Sequence, residues 1–291
     1  MNQSSDKTSH DLEIRQLSPG DLSAALRLKE LAGWNQSDRD WRRLIELEPE
    51  GCFAAWVGDH MVATTTTTTY GETLAWVGMV LVAPEYRRLG IATSLMRQAL
   101  GYLRGCGVRT VKLDATPAGR AVYAQLGFVE EALIERWQGI ASPKAQTVCE
   151  ALREEDISRL LSFDAEACGA DRSRLLRSLM ADSCVQPLAV VAPGGEVRGY
   201  ALARAGAKAH YVGPLVAADS HAAASLLDCM LARLGGREVF IDINTTFAGA
   251  GQIIAGRGFV KQRDLIRMRR GPDIPAGPSS LVFAIAGPEI G

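Results

Sequence analysis

Residues 76–100 carry the clearest local pattern in the chain, and they read WVGMVLVAPEYRRLGIATSLMRQAL. The segment Trp76–Val82 is apolar, rich in valine and followed closely by Pro84, which predicts a buried strand. From Ile91 to Leu103, apolar side chains recur at the spacing of one helical face. The pattern therefore predicts a strand, a turn and an amphipathic helix, in that order.

The turn between them, Arg87-Arg-Leu-Gly-Ile-Ala92, has the composition of an anion-binding site. Gly90 and Ala92 leave little side-chain bulk, so consecutive main-chain N–H groups at the helix start can approach a phosphate closely. The helix dipole and two arginines add favourable charge. No Gly-Lys-Ser/Thr follows, and only one of the three glycines of the dinucleotide fingerprint is present. Both of those nucleotide-binding loops are therefore excluded.

The strand, the Arg-x-x-Gly-x-Ala turn and the helix together resemble the acyl-CoA-binding core of the GCN5-related N-acetyltransferase (GNAT) superfamily. A second segment, Tyr123-Ala-Gln-Leu-Gly-Phe128, resembles the Tyr-x-x-x-Gly-Phe segment that ends the next helix in that superfamily, and Val111–Ala115 suits the neighbouring strand. The resemblance implies a mixed α/β fold, with a mostly antiparallel sheet flanked by helices. It also implies an N-acetyltransferase that uses acetyl-CoA as its cosubstrate.

The resemblance further implies which main-chain groups hold the donor. It assigns the pantetheine and acetyl contacts to Val80, Leu81 and Val82, and it places Arg87 at the first position of the motif. It assigns the pyrophosphate to the main chain of Arg88, Leu89, Gly90, Ile91, Ala92 and Thr93.

The first half of the chain recurs in the second half. Trp76-Val-Gly78 is echoed by Tyr211-Val-Gly213, at an offset of 135 (213 − 78), and Leu126-Gly-Phe128 is echoed by Arg257-Gly-Phe259. Matches in one order at similar offsets indicate two copies of one fold. The predicted organisation is a disordered lead-in, a catalytic first repeat, a degenerate second repeat and a tail with one extra strand. Their predicted bounds are residues 1–11, 12–140, 147–270 and 271–291.

The two repeats differ at the predicted anion site. In place of Pro84–Thr93, the second repeat offers the shorter segment Ala217–Ala224, which has no glycine and no arginine. Asp219 stands where an anion would bind, and its like charge would oppose a pyrophosphate. We therefore expect one donor site per chain, in the first repeat, with the second repeat structural or acceptor-shaping.

Tyr123 is the predicted catalytic acid. A phenol with a pKa near 10 is protonated at neutral pH and can donate its proton to a leaving thiolate. The alternative is an aromatic ring packed under the helix, but the equivalent position in the second repeat, which has lost the anion site, is Ile254. By the same comparison, Asp114 is predicted to be structural, because its equivalent Asp242 persists in that repeat.

The acceptor site is less well defined by the sequence. Trp34, Glu72 and Trp76 are candidates to line it, with core packing as the alternative for the two tryptophans. The run Thr64–Thr69 predicts a strand with one solvent-facing side, and a row of hydroxyls in an acceptor pocket is the alternative. No strong general base is evident, so proton loss to water, or an amine that arrives neutral, stays open. A small amine, an amino acid, an antibiotic and a protein lysine all remain possible acceptors.

Composition narrows the class of protein. The chain has 291 residues, with 32 basic and 33 acidic side chains, and this balance indicates neither a nucleic-acid nor a membrane partner. It has no signal-peptide-like start and no apolar run of transmembrane length. Six scattered cysteines predict reduced thiols, and four histidines show no metal-ligand spacing. We therefore expect a cytoplasmic acyltransferase without a metal, acting on a small-molecule or peptide amine; a CoA-binding sensor or scaffold without turnover is the alternative.

Overall fold

The structure is a computed structural model that describes residues 12–142, 149–274 and 281–291. Two compact units make up the chain: an N-terminal unit that extends through Val111, and a C-terminal unit from Lys112 to Gly291. The predicted lead-in at 1–11 lies outside the described residues, as do positions 143–148, which include most of the predicted boundary between the two repeats.

The N-terminal unit contains an antiparallel sheet in the order β1-β2-β3-β4. Its elements are β1 (Leu12–Gln16), α1 (Leu22–Ala32), α2 (Asp38–Leu47), β2 (Phe53–Val57), β3 (His60–Tyr70), β4 (Leu74–Val82) and α3 (Ile91–Gly105). Ser37 caps the start of helix α2, since the Asp40 main-chain N–H donates to Ser37 Oγ at 3.3 Å. The predicted strand and amphipathic helix around the anion-site turn are confirmed as β4 and α3.

Helix α3 is held on the sheet by its apolar face. Ile91, Leu95 and Ala99 pack with Phe53 of β2 and Val62 of β3 in one buried cluster. Full burial of a leucine such as Leu95 contributes about 1.5–3 kcal/mol. This packing fixes the first turn of α3 relative to the end of β4.

The threonine run has no solvent-facing side. Thr64–Thr67 are 0% exposed and Thr68 is 2% exposed, so the predicted wet face is wrong. Main-chain carbonyls accept from two of the hydroxyls: Thr64 Oγ1 donates to Met79 O at 2.8 Å and Thr67 Oγ1 to Gly51 O at 3.0 Å. These bonds satisfy two of the buried hydroxyls, whereas those of Thr65, Thr66 and Thr68 have no hydrogen-bond partner among the described residues. The alternative of an acceptor pocket lined by these hydroxyls stays a prediction.

The C-terminal unit has the strand order β5-β12-β6-β11-β13-β10-β9-β8-β7, antiparallel apart from a short parallel β10–β11 pairing among the pairings described. The division between units falls inside β5 (Thr110–Ala115). The first repeat then continues with α4 (Pro117–Gln125) and β6 (Val129–Ile140). The second repeat supplies β7 (Glu150–Ala151), α5 (Ile157–Cys168), α6 (Ser173–Ala181), β8 (Leu188–Val191), β9 (Val197–Arg204), β10 (His210–Ala217), α7 (Ser220–Leu234), β11 (Glu238–Asn244), α8 (Ala250–Ala255), β12 (Val260–Arg270) and β13 (Val282–Ala284).

The two repeats exchange their last strands. Strand β6 of the first repeat pairs with β11 of the second, and β12 of the second repeat lies between β6 and β5. This exchange explains why compactness divides the chain after Val111, whereas the sequence repeat changes near residues 140–147. The domain limits drawn from the repeat stay predictions.

Two cysteines differ from their predicted state. Cys149 and Cys229 form a disulfide, with their Cα atoms 6.1 Å apart, so the expectation that all six thiols are reduced is wrong. Cys52, Cys106, Cys168 and Cys184 are free thiols.

Candidate active site

Strand β4 is interrupted where the predicted pantetheine contacts begin. Across the β3–β4 ladder, Thr66 pairs with Gly78 and Thr64 with Leu81, so that Met79 and Val80 together oppose one residue of β3. Met79 adopts a φ of 49°, in the left-handed region. A bulge of this kind leaves the extra residue unpaired and bends the strand. It therefore alters the direction of the main chain immediately before Val80, Leu81 and Val82.

The anion loop, residues 87–93, comprises the turn that precedes α3 and the first three residues of that helix. Two of its residues are left-handed, Arg88 with a φ of 64° and Gly90 with a φ of 81°. A left-handed Arg88 is uncommon for a residue with a side chain, and Gly90 adopts this conformation without strain. Alternation of this type turns successive N–H groups toward one side and forms an anion-binding concavity.

The main-chain N–H groups of this loop are free. Within the described residues, nothing accepts a hydrogen bond from the N–H groups of 88–93, and pairing starts with Ser94, which donates to Gly90 O at 3.0 Å. A Cβ built at Gly90 meets nothing within 4 Å. The open space beside Gly90 is available to a ligand, and six consecutive donors lie next to the positive end of α3.

Both arginines of the loop are exposed. The Arg87 side chain turns back, and its Nε donates to Val82 O at 3.1 Å. Arg87 and Arg88 thus add positive charge to a loop whose main chain already favours an anion.

Tyr123 lies on α4 in a half-buried position. Its ring packs edge-to-face on Phe128, with centroids 6.2 Å apart, and Gly119 makes room for it, since a Cβ there would lie 2.9 Å from the ring. Burial raises the pKa of the Tyr123 phenol to about 12. In the part of the chain that is described, its hydroxyl has no hydrogen-bond partner, so its proton is not committed to another group.

Asp114 lies in a different environment. Its buried carboxylate accepts two hydrogen bonds from Arg267, both at 2.9 Å. Burial raises the pKa of Asp114 above its usual range, although the Arg267 guanidinium opposes the shift. Its equivalent Asp242 accepts two bonds from Arg136, at 2.7 and 2.6 Å. Each carboxylate is therefore engaged in an ion pair and is not free to act as a base.

The three acceptor candidates lie apart along the N-terminal unit. Trp34 is half-buried in the loop before α2, and Trp76 is 3% exposed within β4. Glu72 is exposed at the start of β4, at the opposite end of that strand from the anion loop. Their acceptor role stays a prediction.

Sequence reasoning did not single out a buried carboxylate beneath α3. Glu48 accepts hydrogen bonds from Tyr102 Oη at 2.5 Å and from the Thr69 N–H at 2.9 Å. Burial and the bond to Glu48 raise the pKa of Tyr102 well above its usual range. Nothing in the local pattern distinguishes Glu48 from a surface carboxylate, because its partners come from distant segments.

The start of α7 in the second repeat is closed to anions. The Asp219 carboxylate caps the helix, accepting from the Ala222 N–H at 2.8 Å, and it also accepts from Arg198 Nη2 at 3.0 Å. These bonds lower the pKa of Asp219. A negative charge of the chain itself thus occupies the position of the anion loop.

Two kinds of site are not found in the described residues. They contain no group of three or more His, Cys, Asp or Glu side chains placed to hold a metal ion. Over the same residues, no helix combines the length and the apolar character needed to cross a membrane.

Comparison with known proteins gives two family matches. The model described as acetyltransferase (GNAT) family matches residues 21–128, and the model described as acetyltransferase (GNAT) domain matches residues 160–284. Holothin acyltransferase from Pseudoalteromonas sp. (strain SANK 73390) is 28% identical over 261 residues, covering 89% of this chain and 87% of that protein.

Solved structures share the fold. A Pyrococcus horikoshii protein, 24% identical, superposes with a TM-score of 0.83 over 100% of this chain and 99% of its own. A GCN5-related N-acetyltransferase from Sphaerobacter thermophilus, 17% identical, gives a TM-score of 0.67 over 91% of this chain and 98% of its own. The anion loop and Tyr123 both lie within the first matched segment, and the two matches together span most of the chain. The chain therefore carries two GNAT domains in tandem and belongs to the GNAT family of acetyltransferases.

Proposed function

We propose that this protein transfers an acetyl group from acetyl-CoA to a primary amine and that the first repeat holds the donor. The observation that carries the proposal is the run of six unpaired main-chain N–H groups at 88–93, preceding a buried and well-anchored helix. A row of donors without acceptors at a helix start is costly unless an anion or water takes the bonds.

The residues present fit an acyl-CoA donor. The N–H groups of the anion loop would hold the pyrophosphate, supported by Arg87 and Arg88. The main chain of Val80, Leu81 and Val82 would bind the pantetheine amides along β4, after the bulge at Met79. GNAT proteins generally use acetyl-CoA or another acyl-CoA, and the family match supports this donor class.

Tyr123 is proposed as the acid that protonates the departing thiolate. A pKa of about 12 keeps its phenol protonated throughout the physiological range, and its packing on Phe128 fixes the ring. Within the same matched segment, the bidentate bonds that Asp114 accepts from Arg267 favour a structural role for it over that of a base. Loss of the amine proton is left to water, or the amine binds in its neutral form.

Release of free thiol from acetyl-CoA across a panel of amines tests the proposal. The panel should contain small amines, amino acids, an aminoglycoside, lysine peptides and holothin, the acceptor that the name of the 28% identical relative gives for that protein. Amine-dependent thiol release with acetylation of the amine is expected. CoA binding without turnover on any amine would favour the alternative, a CoA-binding sensor or scaffold.

A further inference from the structure

The C-terminal tail lies inside the sheet of the second repeat. Strands β10 and β11 pair in parallel only at His210–Val239 and Tyr211–Phe240. Beyond that point β13 runs between them, antiparallel to both, with Ala284 opposite Leu215 on one side and Ile243 on the other. Phe283, Ala284, Ile285 and Ala286 are all 0% exposed. The described part of the tail is thus a buried strand of the sheet and not a surface extension.

The repeat offset identifies the position that β13 occupies. An offset of 135 relates Val80, Leu81 and Val82 of β4 to residues 215–217 of β10. In both repeats the ladder is irregular near the matching glycine: in β4 the extra residues directly follow Gly78, and in β10 they include Gly213, between Val212 and Leu215. In the second repeat, these main-chain positions pair with the tail: Leu215 with Ala284, and Val216 with Val282.

The residues after β13 continue along the same path. The Ile285 N–H donates to Asp242 O at 3.0 Å. Tyr211 Oη lies within donating distance of both Asp242 Oδ2, at 3.0 Å, and Ile285 O, at 3.3 Å. Gly213 adjoins the same carbonyl, which a Cβ at Gly213 would overlap. The main chain of the tail therefore satisfies the polar groups that the diverging strands β10 and β11 leave open.

Two buried arginines of the second repeat secure the end of the tail. Arg204 donates to Ala286 O at 2.7 Å and to Glu289 Oε1 at 3.0 Å. Arg172, itself paired with Asp164, donates to Gly291 O at 2.6 Å. Charge-assisted bonds from buried guanidinium groups are costly to break, so they fix the tail in place.

We infer that residues 282–291 are a built-in occupant of the second repeat's donor groove. This inference rests on the proposed function, in which the equivalent main chain of the first repeat, at residues 80–82, binds pantetheine. Pantetheine is an extended chain with two amides, and a peptide strand presents the same donors and acceptors to a strand edge. The second repeat is then closed to acyl-CoA twice over: Asp219 fills the anion position and the tail fills the groove. The chain's own peptide therefore occupies this groove permanently.

Hydrogen exchange on the full chain, measured without and then with CoA, tests this inference. The amides of Ile285 and Ala286 should exchange with the slowest amides of β10 and β11, with protection factors above about 10³. Added CoA should leave them unchanged, even where it protects residues 88–93. Rapid exchange of the tail, or exchange that CoA accelerates, would show that the tail is displaceable and would overturn the inference.

An Asp219→Ser variant distinguishes the effect of the Asp219 charge on CoA binding from the effect of the tail. Serine retains a helix cap and removes the negative charge, so the tail becomes the remaining obstacle to CoA. Calorimetric titration with CoA should give the same stoichiometry for the variant as for the unaltered chain. A site gained in the variant would mean that the tail does not close the groove, whatever the first repeat binds.

Discussion

Gly90 is the residue through which a single substitution can test the anion loop. Gly90→Asp places a carboxylate beside the free N–H groups and forces a side chain onto a φ of 81°. CoA affinity should fall by at least about 10²-fold, because a like charge meets the pyrophosphate at short range. Calorimetric titration measures this directly.

Gly58→Asp is the matched control for that variant. Gly58 also has a left-handed φ, 56°, and open space around a built Cβ, but it lies in the turn between β2 and β3. Both variants should lose about 1 kcal/mol of stability, and only Gly90→Asp should lose CoA binding. Equal CoA binding by the two variants would remove the anion loop from the donor site.

Tyr123→Phe separates a catalytic phenol from a packed ring. The change keeps the edge-to-face contact with Phe128, and the hydroxyl that it removes has no partner among the described residues. Stability and CoA affinity should therefore hardly change, whereas kcat should fall by about 10²-fold. The loss should shrink with a donor whose thiol is more acidic.

Tyr102→Phe should show the opposite result, with stability lowered and turnover unchanged. Its hydroxyl donates to the buried Glu48 carboxylate, so the variant should lose about 1.5–3 kcal/mol of stability with kcat unchanged. Thermal unfolding and turnover measured on both variants decide the matter. Turnover near the unaltered value in Tyr123→Phe would make that tyrosine structural.

The pH dependence of turnover follows from the same phenol. An acid works in its protonated form, so activity is lost as pH rises through its pKa, and burial has moved that pKa up to about 12. With the amine saturating in its neutral form, kcat should show no falling limb between pH 7 and pH 10.5. A falling limb with a midpoint below pH 10 would point to another acid.

At the scale of elements, two equivalent ion pairs join the exchanged strands β6 and β12 to the repeats that receive them. Arg136 and Arg267 each lie eight residues after the phenylalanine of a Gly-Phe pair, and each holds the buried aspartate of the other repeat. Arg267→Gln leaves Asp114 buried without its counter-charge, which should cost about 3–5 kcal/mol. Arg136→Gln should cost a similar amount.

The sign of the pH effect on Arg267→Gln is fixed by Asp114. The pKa of this carboxyl is raised in the folded state, so its contribution favours folding at low pH and is lost as pH rises through that value. Removing Arg267 raises the pKa further, and the deficit in unfolding free energy should be larger at pH 8 than at pH 5. Arg269→Gln, whose ion pairs measure 3.8 and 3.7 Å, should cost under about 1 kcal/mol at either pH. Urea unfolding of the three variants at both pH values checks this.

The sequence predicts those elements whose pattern is local. Periodicity is enough for β4 and α3, and the Arg-x-x-Gly-x-Ala spacing is enough for a helix start with free N–H groups. The left-handed Arg88 and the bulge at Met79 carry no such signal, because they arise from how neighbouring segments meet. The threonine run misleads because its hydroxyls are buried with the strand: those of Thr64 and Thr67 donate to main-chain carbonyls, and three others have no partner among the described residues.

Pairings between distant segments cannot be predicted from the sequence alone. A repeat in the sequence indicates two similar domains, but it does not show that β6 and β12 change places, since either arrangement buries the same faces. The same holds for β13, whose apolar residues suit an edge strand as well as the groove between β10 and β11. The Cys149–Cys229 pair likewise cannot be predicted from the spacing of the cysteines, because the two partners lie 80 positions apart.

For the whole molecule, the exchange predicts that the first repeat does not stand alone. Strand β6 pairs with β11 on one side along Ile134–Ile140 and with β12 on the other along Val129–Gln138, and both neighbours belong to the second repeat. A chain that ends at Ser142 would leave both edges of this long strand unpaired and Asp114 without Arg267. Unpaired strand edges promote aggregation, so this shortened chain should be insoluble or should bind CoA weakly.

Adding residues 147–291 during refolding should restore solubility and binding, because it restores both neighbours of β6. Sedimentation and CoA titration of the shortened chain, with and without the second fragment, measure this. A soluble, monomeric shortened chain with full activity would mean that β6 can return to its own repeat and that the second repeat is dispensable.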